Sequence, residues 1–306
     1  MAYTNFQQII DEIQRSSLTK RLAVAAAHDE QTLEAVFRAR RDRIVEPLLF
    51  GEPEKIKAIS RKLGESIADE AIFPAVDDAE AARLAVAAIR DNRSDILMKG
   101  KLDTAVILKA VVNREHGLGK DRIMSMLVFH EMPSYPKLLA VTDGGMCLYP
   151  TLEEKKQILI NAVEMMTLMG YKNPKVGVLA AIEKVNPKMP ETVDADQLKQ
   201  MNIRGEITDC IVEGPISYDL AMSRESAAIK GFSSPVVGDV DLLVVPEITT
   251  GNVLGKCLVY SAGAKMAGIV VGARVPIVLT SRGARSEEKY RSLVLAALAD
   301  RCYDEA

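Results

Sequence analysis

The chain has 306 residues, long for one compact core and suited to two medium domains. Its 39 Lys and Arg stand against 42 Asp and Glu, a net charge of −3, which excludes a general basic face for nucleic acid. The hydrophobic share of 48% is that of a soluble globular protein, and no apolar run reaches membrane-span length, because Arg274 interrupts the best candidate. The opening MAYTNFQQIIDEIQRSS is too polar for a secretory signal. Cys147, Cys210, Cys257 and Cys302 are scattered, form no CxxC and lie away from the histidines. No zinc site is expected, and reduced thiols in the cytoplasm are.

In chain order, Phe6 to Ser16 has the spacing of an amphipathic helix. Arg21 to Ala27 reads as a buried strand, followed by His28-Asp29 and a helix from Thr32 to Arg41. His28-Asp29 suits a turn and helix cap, with a cleft-lining pair as the alternative. Arg38, Arg40, Arg41 and Arg43 read as a solvated helix end, since one face cannot turn them all inward. Strands are expected at Val45 to Phe50, Ile72 to Val76 and Asp95 to Met98, with helices at Glu54 to Leu63, Asp78 to Ile89 and Thr104 to Val112. This βα alternation predicts a layered, mainly parallel sheet. Lys99 and Gly100, between a strand and the helix at Thr104, make a phosphate turn without the P-loop spacing.

Ile123 to Phe129 and Leu138 to Val141 read as paired strands, the second ended by Thr142-Asp143-Gly144-Gly145. A helix from Glu153 to Met169 follows, and the chain is expected to cross into its second domain here. Met165, Met166 and Met169 read as core filler. Further strands are expected at Lys175 to Ala181 and Cys210 to Val212, with helices at Thr192 to Asn202 and Asp219 to Lys230.

The richest stretch is Asp241 to Lys289. Leu242 to Val245 is a short strand, Thr249-Thr250-Gly251-Asn252 a polar turn, and Val253 to Ala262 a helix. Pro276 to Thr280 is a strand ended by Ser281-Arg282-Gly283, and another helix starts at Ser286. Turns between strand ends and helix N-termini suit an anion, and Arg282 adds a planar fork of donors. Strands that end repeatedly in polar or glycine-containing turns predict a cleft between two α/β domains.

Pro246-Glu247, Thr250-Gly251-Asn252, Lys256, Gly268, Gly272, Pro276 and Ser281-Arg282 resemble the phosphate acetyl/butyryl transferase family. So do AAAHDE, MKGKLDT, KLLAVTDGGM, VLAAIEKVNPKMPETVDA, CIVEGPISYDLA and VPIVLTSR, in order along nearly the whole chain, with wording nearest the family's butyryltransferase members. The resemblance implies two layered α/β domains with mainly parallel sheets and an interdomain cleft, an arrangement like that of isocitrate and isopropylmalate dehydrogenases. It implies a first domain of residues 1–144 and 274–306, a second of 145–273, and a homodimer or larger oligomer.

The implied reaction is a short-chain acyl-CoA plus phosphate giving acyl phosphate plus CoA, in a ternary complex, with no metal, no tightly bound cofactor and no covalent acyl-enzyme. Substrate-binding candidates are Lys99, Gly100, Thr104, Thr142, Asp143, Thr250, Gly251, Asn252 and Lys256, and catalytic candidates are Ser281, Arg282, Glu287 and Glu288. The acetyltransferase members carry a catalytic aspartate at the position of Glu288, whereas butyryltransferases resemble this chain in a glutamate at the position of Glu287. Helix-face spacing from Tyr290 and Val294 turns Glu287 toward the sheet and Glu288 away, so the base is left open between them, with Glu287 slightly favoured. Gly255 stands where the family usually has tyrosine.

Three alternatives stay open. One is acetyl rather than butyryl transfer. Another is a metal- and NAD-dependent decarboxylating dehydrogenase of similar architecture, for which Asp239 and Asp241 are the nearest acidic pair. The third is a non-catalytic sensor of acyl phosphate or CoA. Cys147 and Cys257 lack a neighbouring histidine to activate them and read as structural.

Overall fold

The structure is a computed structural model that describes residues 3–16, 19–281 and 283–304, with side chains as far as residue 300. The chain opens with α1 (Phe6–Ser16), β1 (Lys20–Ala25), α2 (Glu30–Arg41), β2 (Val45–Gly51) and α3 (Pro53–Lys62). β3 (Ile72–Pro74), α4 (Asp78–Arg90), β4 (Ile96–Lys99) and α5 (Thr104–Val111) come next. The middle of the chain forms β5 (Ser125–Glu131), β6 (Leu139–Thr142), α6 (Leu152–Leu168), β7 (Lys175–Leu179) and α7 (Pro190–Ile203). It continues through β8 (Ile211–Ile216), α8 (Tyr218–Met222), α9 (Arg224–Lys230), β9 (Leu242–Val244) and α10 (Ile248–Tyr260). β10 (Lys265–Val271), β11 (Ile277–Val278) and α11 (Ser286–Asp304) complete it.

The chain divides into two compact units. A terminal unit comprises Gln7–Arg122 and Ala267–Ala306, and a central unit comprises Met1–Phe6 and Ile123–Met266. The expected division after residues 144 and 273 therefore moves to 122 and 266. The cause is strand pairing. β5 and β6 form an antiparallel hairpin, Val128 opposite Val141, and β6 lies parallel to β9, Val141 opposite Leu243. Those hydrogen bonds draw the hairpin into the central unit. At the other boundary β10 pairs antiparallel with β11, Val270 opposite Ile277, and goes with the terminal unit.

In the terminal unit the strand order is β3-β2-β1-β4-β11-β10, all parallel except β10. Leu22, Ala23, Val24 and Ala25 are successive residues, all at 0% exposure, so helices cover both faces of β1. Each fully buried side chain of Leu or Val size contributes about 1.5–3 kcal/mol. Ala25 lies opposite Lys99, and Met98 opposite Val278, so β1, β4 and β11 end level with one another. The turns leaving these three strands all emerge on one edge. α2 packs along α11, and Asp29 caps α2 by accepting the Thr32 amide at 3.0 Å. The solvated end expected for α2 is instead paired: Arg40 and Arg41 both reach Glu65, and Arg38 reaches Glu287.

The central sheet runs β5-β6-β9-β7-β8. Leu139, Val141, Leu179, Ile216, Leu220 and Leu243 gather in its core. The single helix expected over Asp219 to Lys230 is two, because Ser223 takes an extended φ of −134° and caps α9 through the Ser226 amide at 3.1 Å. Helix α10 starts earlier than the sequence suggests, at Ile248. Thr-Thr-Gly-Asn reads as a breaker by propensity, but Glu247 caps it, accepting the Thr249 and Thr250 amides at 2.7 and 2.8 Å.

Candidate active site

At the level edge of the terminal unit, three turns meet. Lys99 closes β4 at 1% exposure, and its Nζ donates to the carbonyls of Leu102 at 3.1 Å and Gly100 at 3.4 Å. The ammonium thus shapes the turn it was expected to offer to phosphate. Gly100 is a steric requirement. Its amide donates to Ala25 O at 2.8 Å, and a Cβ there would stand 2.2 Å from Ala26 O. Thr104 is the exposed first residue of α5.

Beyond β11, Ser281 is exposed, and its Oγ accepts the Gly283 amide at 3.4 Å. Arg282 lies outside the described residues. α11 then presents the two glutamates in different settings. Glu287 takes the Arg38 guanidinium and lies 3.5 Å from Arg291, and Arg38 stacks 3.9 Å over the Tyr290 ring. Its carboxylate joins α11 to α2 with 57% of the side chain exposed, so it does not turn toward the sheet as helix spacing suggested. Glu288 is half-buried. Burial pushes its carboxyl above the usual range, against the pull of Lys289 and Arg291.

Sequence reasoning missed Lys289. It is 3% exposed, and its Nζ donates to Thr280 Oγ1 at 3.1 Å. Burial pushes the ammonium below its usual range, while Asp29 and Glu288 oppose that. The signal was present: Lys289 stands four residues before Leu293, on the buried stripe of the helix. His28 Nδ1, Asp29 Oδ2 and Thr32 Oγ1 are buried at the same edge without hydrogen-bond partners.

The central unit builds its own polar cluster from β6 and α10. Thr142 Oγ1 donates to Met126 O at 2.8 Å. Asp143 is 3% exposed and accepts four backbone amides, from Gly145 at 2.7 Å, Met146 at 2.9 Å, Met126 at 3.1 Å and Cys147 at 3.2 Å. Gly144 lies directly against Gly251, whose added Cβ would meet Gly144 Cα at 2.6 Å. Asn252 Nδ2 reaches Gly144 O at 3.4 Å, and Lys256 is exposed one turn on. The N-terminal donors of α10 are not open to an anion, because the Glu247 carboxylate holds them, with Thr250 Oγ1 donating to it as well. Burial opposes ionisation of Glu247, but the bonds from Thr250 and Thr249 prevail and hold its carboxyl at about 2.

Burial pushes the Cys147 thiol up to about 12, with Asp143 adding to the effect. Cys257 is exposed. Iodoacetamide at neutral pH is expected to label Cys257 and spare Cys147, as mapped by peptide mass spectrometry. Rapid labelling of Cys147 would reopen a nucleophilic role.

Among the described residues no cluster of three or more His, Cys, Asp or Glu could hold a metal, and no helix is long and apolar enough to cross a membrane. Asp239 and Asp241 are occupied by lysines: Lys137 Nζ lies 2.9 and 2.6 Å from them, and Lys175 Nζ lies 2.5 Å from Asp239.

Residues 74–297 match the family described as phosphate acetyl/butaryl transferase. The phosphate acetyltransferase of Thermotoga maritima is 43% identical, over 91% of this chain and 95% of its own. The phosphate butyryltransferase of Clostridium acetobutylicum is 40% identical, over 96% and 97%. The crystal structure of a branched-chain phosphotransacylase from Enterococcus faecalis superposes with a TM-score of 0.82 at 32% identity, covering 92% of this chain and 99% of that one. The chain belongs to the phosphate acetyl/butyryl transferase family, a family of acyltransferases.

Proposed function

We propose that the protein transfers a short-chain acyl group between coenzyme A and inorganic phosphate, by direct attack and without an acyl-enzyme. The observation that carries this reading is Glu288, a half-buried carboxylate whose affinity for a proton is raised by burial, in the first turn of the helix that follows Ser281. In the direction of CoA acylation, the thiol sulfur bonds to the acyl carbon and the acyl carbon–phosphate oxygen bond breaks. The thiol proton passes to Glu288 and then to the departing phosphate, so atoms and charge balance.

Ser281, Arg282 and the Lys99–Gly100 turn are the proposed phosphate side, with Thr104 at its edge. Exposed Asn252 and Lys256 are the proposed contacts for acyl-CoA. Thr142, Asp143, Thr250 and Gly251 shape the backbone beneath them. The resemblance supports the further proposals of a homo-oligomer in the cytoplasm and of a reaction needing neither metal nor tightly bound cofactor.

Acyl length is the finer part of the proposal. Butyryl is favoured by the motif wording and by Gly255, where an added Cβ would meet only His130 Nε2, at 3.6 Å. The test is phosphate-dependent release of CoA from acetyl-, propionyl-, butyryl- and isobutyryl-CoA. A preference for butyryl over acetyl is expected, each methylene being worth about 1–3 kcal/mol of discrimination. No phosphate-dependent release from any of the four would overturn the function, and a preference for acetyl would overturn only the acyl assignment.

A further inference from the structure

Lys289 is nearly sealed from solvent at 3% exposure. A buried ammonium is costly to desolvate and is normally paired with a carboxylate. Lys289 makes no ion pair among the described residues. Its Nζ donates instead to Thr280 Oγ1 at 3.1 Å, and Thr280 is itself 6% exposed and directly precedes Ser281. Two carboxylates act on it through space, Asp29 and Glu288. Asp29 spends Oδ1 on the Thr32 amide, and its Oδ2 is buried without a partner. The charge thus sits beneath the strand end that presents Ser281 and beside the carboxylate assigned to the thiol proton.

We infer that Lys289 is a positioning residue for the transfer: its buried ammonium pins the Thr280–Ser281 segment that follows β11 and sets a positive charge next to Glu288, the carboxylate that takes the thiol proton. This rests on Glu288 being the base. The other charged groups around that helix start have separate engagements. On α11, Glu287 holds Arg38 of α2 and lies 3.5 Å from Arg291. Also on α2, Asp42 accepts the Tyr290 hydroxyl at 2.6 Å. In the turn before α2, His28 Nε2 lies 4.0 Å from Asp78. On β4, Lys99 Nζ is directed at the carbonyls of its own turn. Arg285, before the helix, is exposed.

The experiment is turnover against pH in the direction of CoA acylation, for the wild type and for Lys289→Met, Lys289→Gln and Lys289→Arg. A base that must be ionised gives an acid limb. Loss of a nearby positive charge favours the protonated carboxyl, so the limb is expected to move up by about 1 pH unit in the Met variant. Lys289→Arg is expected to return the limb toward its wild-type position, and KM for acyl phosphate to change little. Should Lys289→Met not fold, Lys289→Gln removes the charge while keeping a donor for Thr280. Thr280→Val, which keeps the charge, is expected to leave the limb in place. A limb that stays put in a folded Met or Gln variant overturns the inference, as does one that moves equally in the Arg variant. Full turnover in Glu288→Gln would instead remove the base assignment, and the inference with it. An inactive Glu288→Gln beside an unmoved limb removes the role of Lys289 alone.

Discussion

Glu288→Gln is expected to lower turnover by about 10²–10⁴-fold, the usual contribution of a positioned general base. Affinity for acyl phosphate is expected to hold, because the amide keeps the shape of the carboxylate and loses only the capacity to take a proton. Glu287→Gln is the matched control. Its carboxylate is engaged by Arg38 and Arg291 and is largely exposed, so its loss falls on the contact between α11 and α2. About 0.3–1 kcal/mol of stability at the helix N-terminus is at stake there, with turnover nearly unchanged. The reverse pattern, an inactive Glu287→Gln beside an active Glu288→Gln, would exchange the two roles. Steady-state kinetics and thermal unfolding of both variants decide between them.

The second large effect is expected at Asp143. Four backbone amides converge on one carboxylate that is 3% exposed. Asp143→Ala strands those donors, and unsatisfied buried groups cost about 1–3 kcal/mol each before relaxation. A net loss of about 2–3 kcal/mol is expected, seen as a Tm lower by roughly 3–5 °C. Turnover is expected to fall as well, since this turn sets Gly144 against Gly251 and brings Gly144 O within 3.4 Å of Asn252. Asp143→Asn, with one acceptor oxygen in place of two, is expected to be intermediate in both measures. If Asp143 bound substrate directly, the Asn variant would keep its Tm and lose only turnover, which differential scanning calorimetry beside kinetics would reveal.

Much of the molecule is legible without coordinates. The βα alternation from Arg21 to Val112 reports itself because parallel strands buried on both faces are unbroken apolar runs, and the helices between them carry their own caps, such as Asp29. The start of α11 at Ser286 and its buried Tyr290, Leu293, Val294, Ala297 and Leu298 follow from spacing alone. The motif order along the chain carried the family, and the comparisons bear it out.

Other features depend on contacts distant in sequence. The hairpin of β5 and β6 belongs to the central unit because β6 pairs with β9, about a hundred residues later, and no local pattern encodes that partner. Thr249 to Asn252 are helical because a side-chain cap outweighs weak propensity. Glu287 and Glu288 are adjacent and chemically alike. Arg38 on α2, far away in the chain, engages the Glu287 carboxylate, while burial pushes the Glu288 carboxyl above the usual range, since a carboxylate's charge answers to its surroundings. The class of fold, the family and the residues in contention can all be read from the order of residues. Folding alone settles that Asp143 is spent on the backbone, that the donors opening α10 are held by Glu247 and that a lysine lies buried beneath Thr280, because burial and pairing are properties of neighbours that meet only in the folded chain.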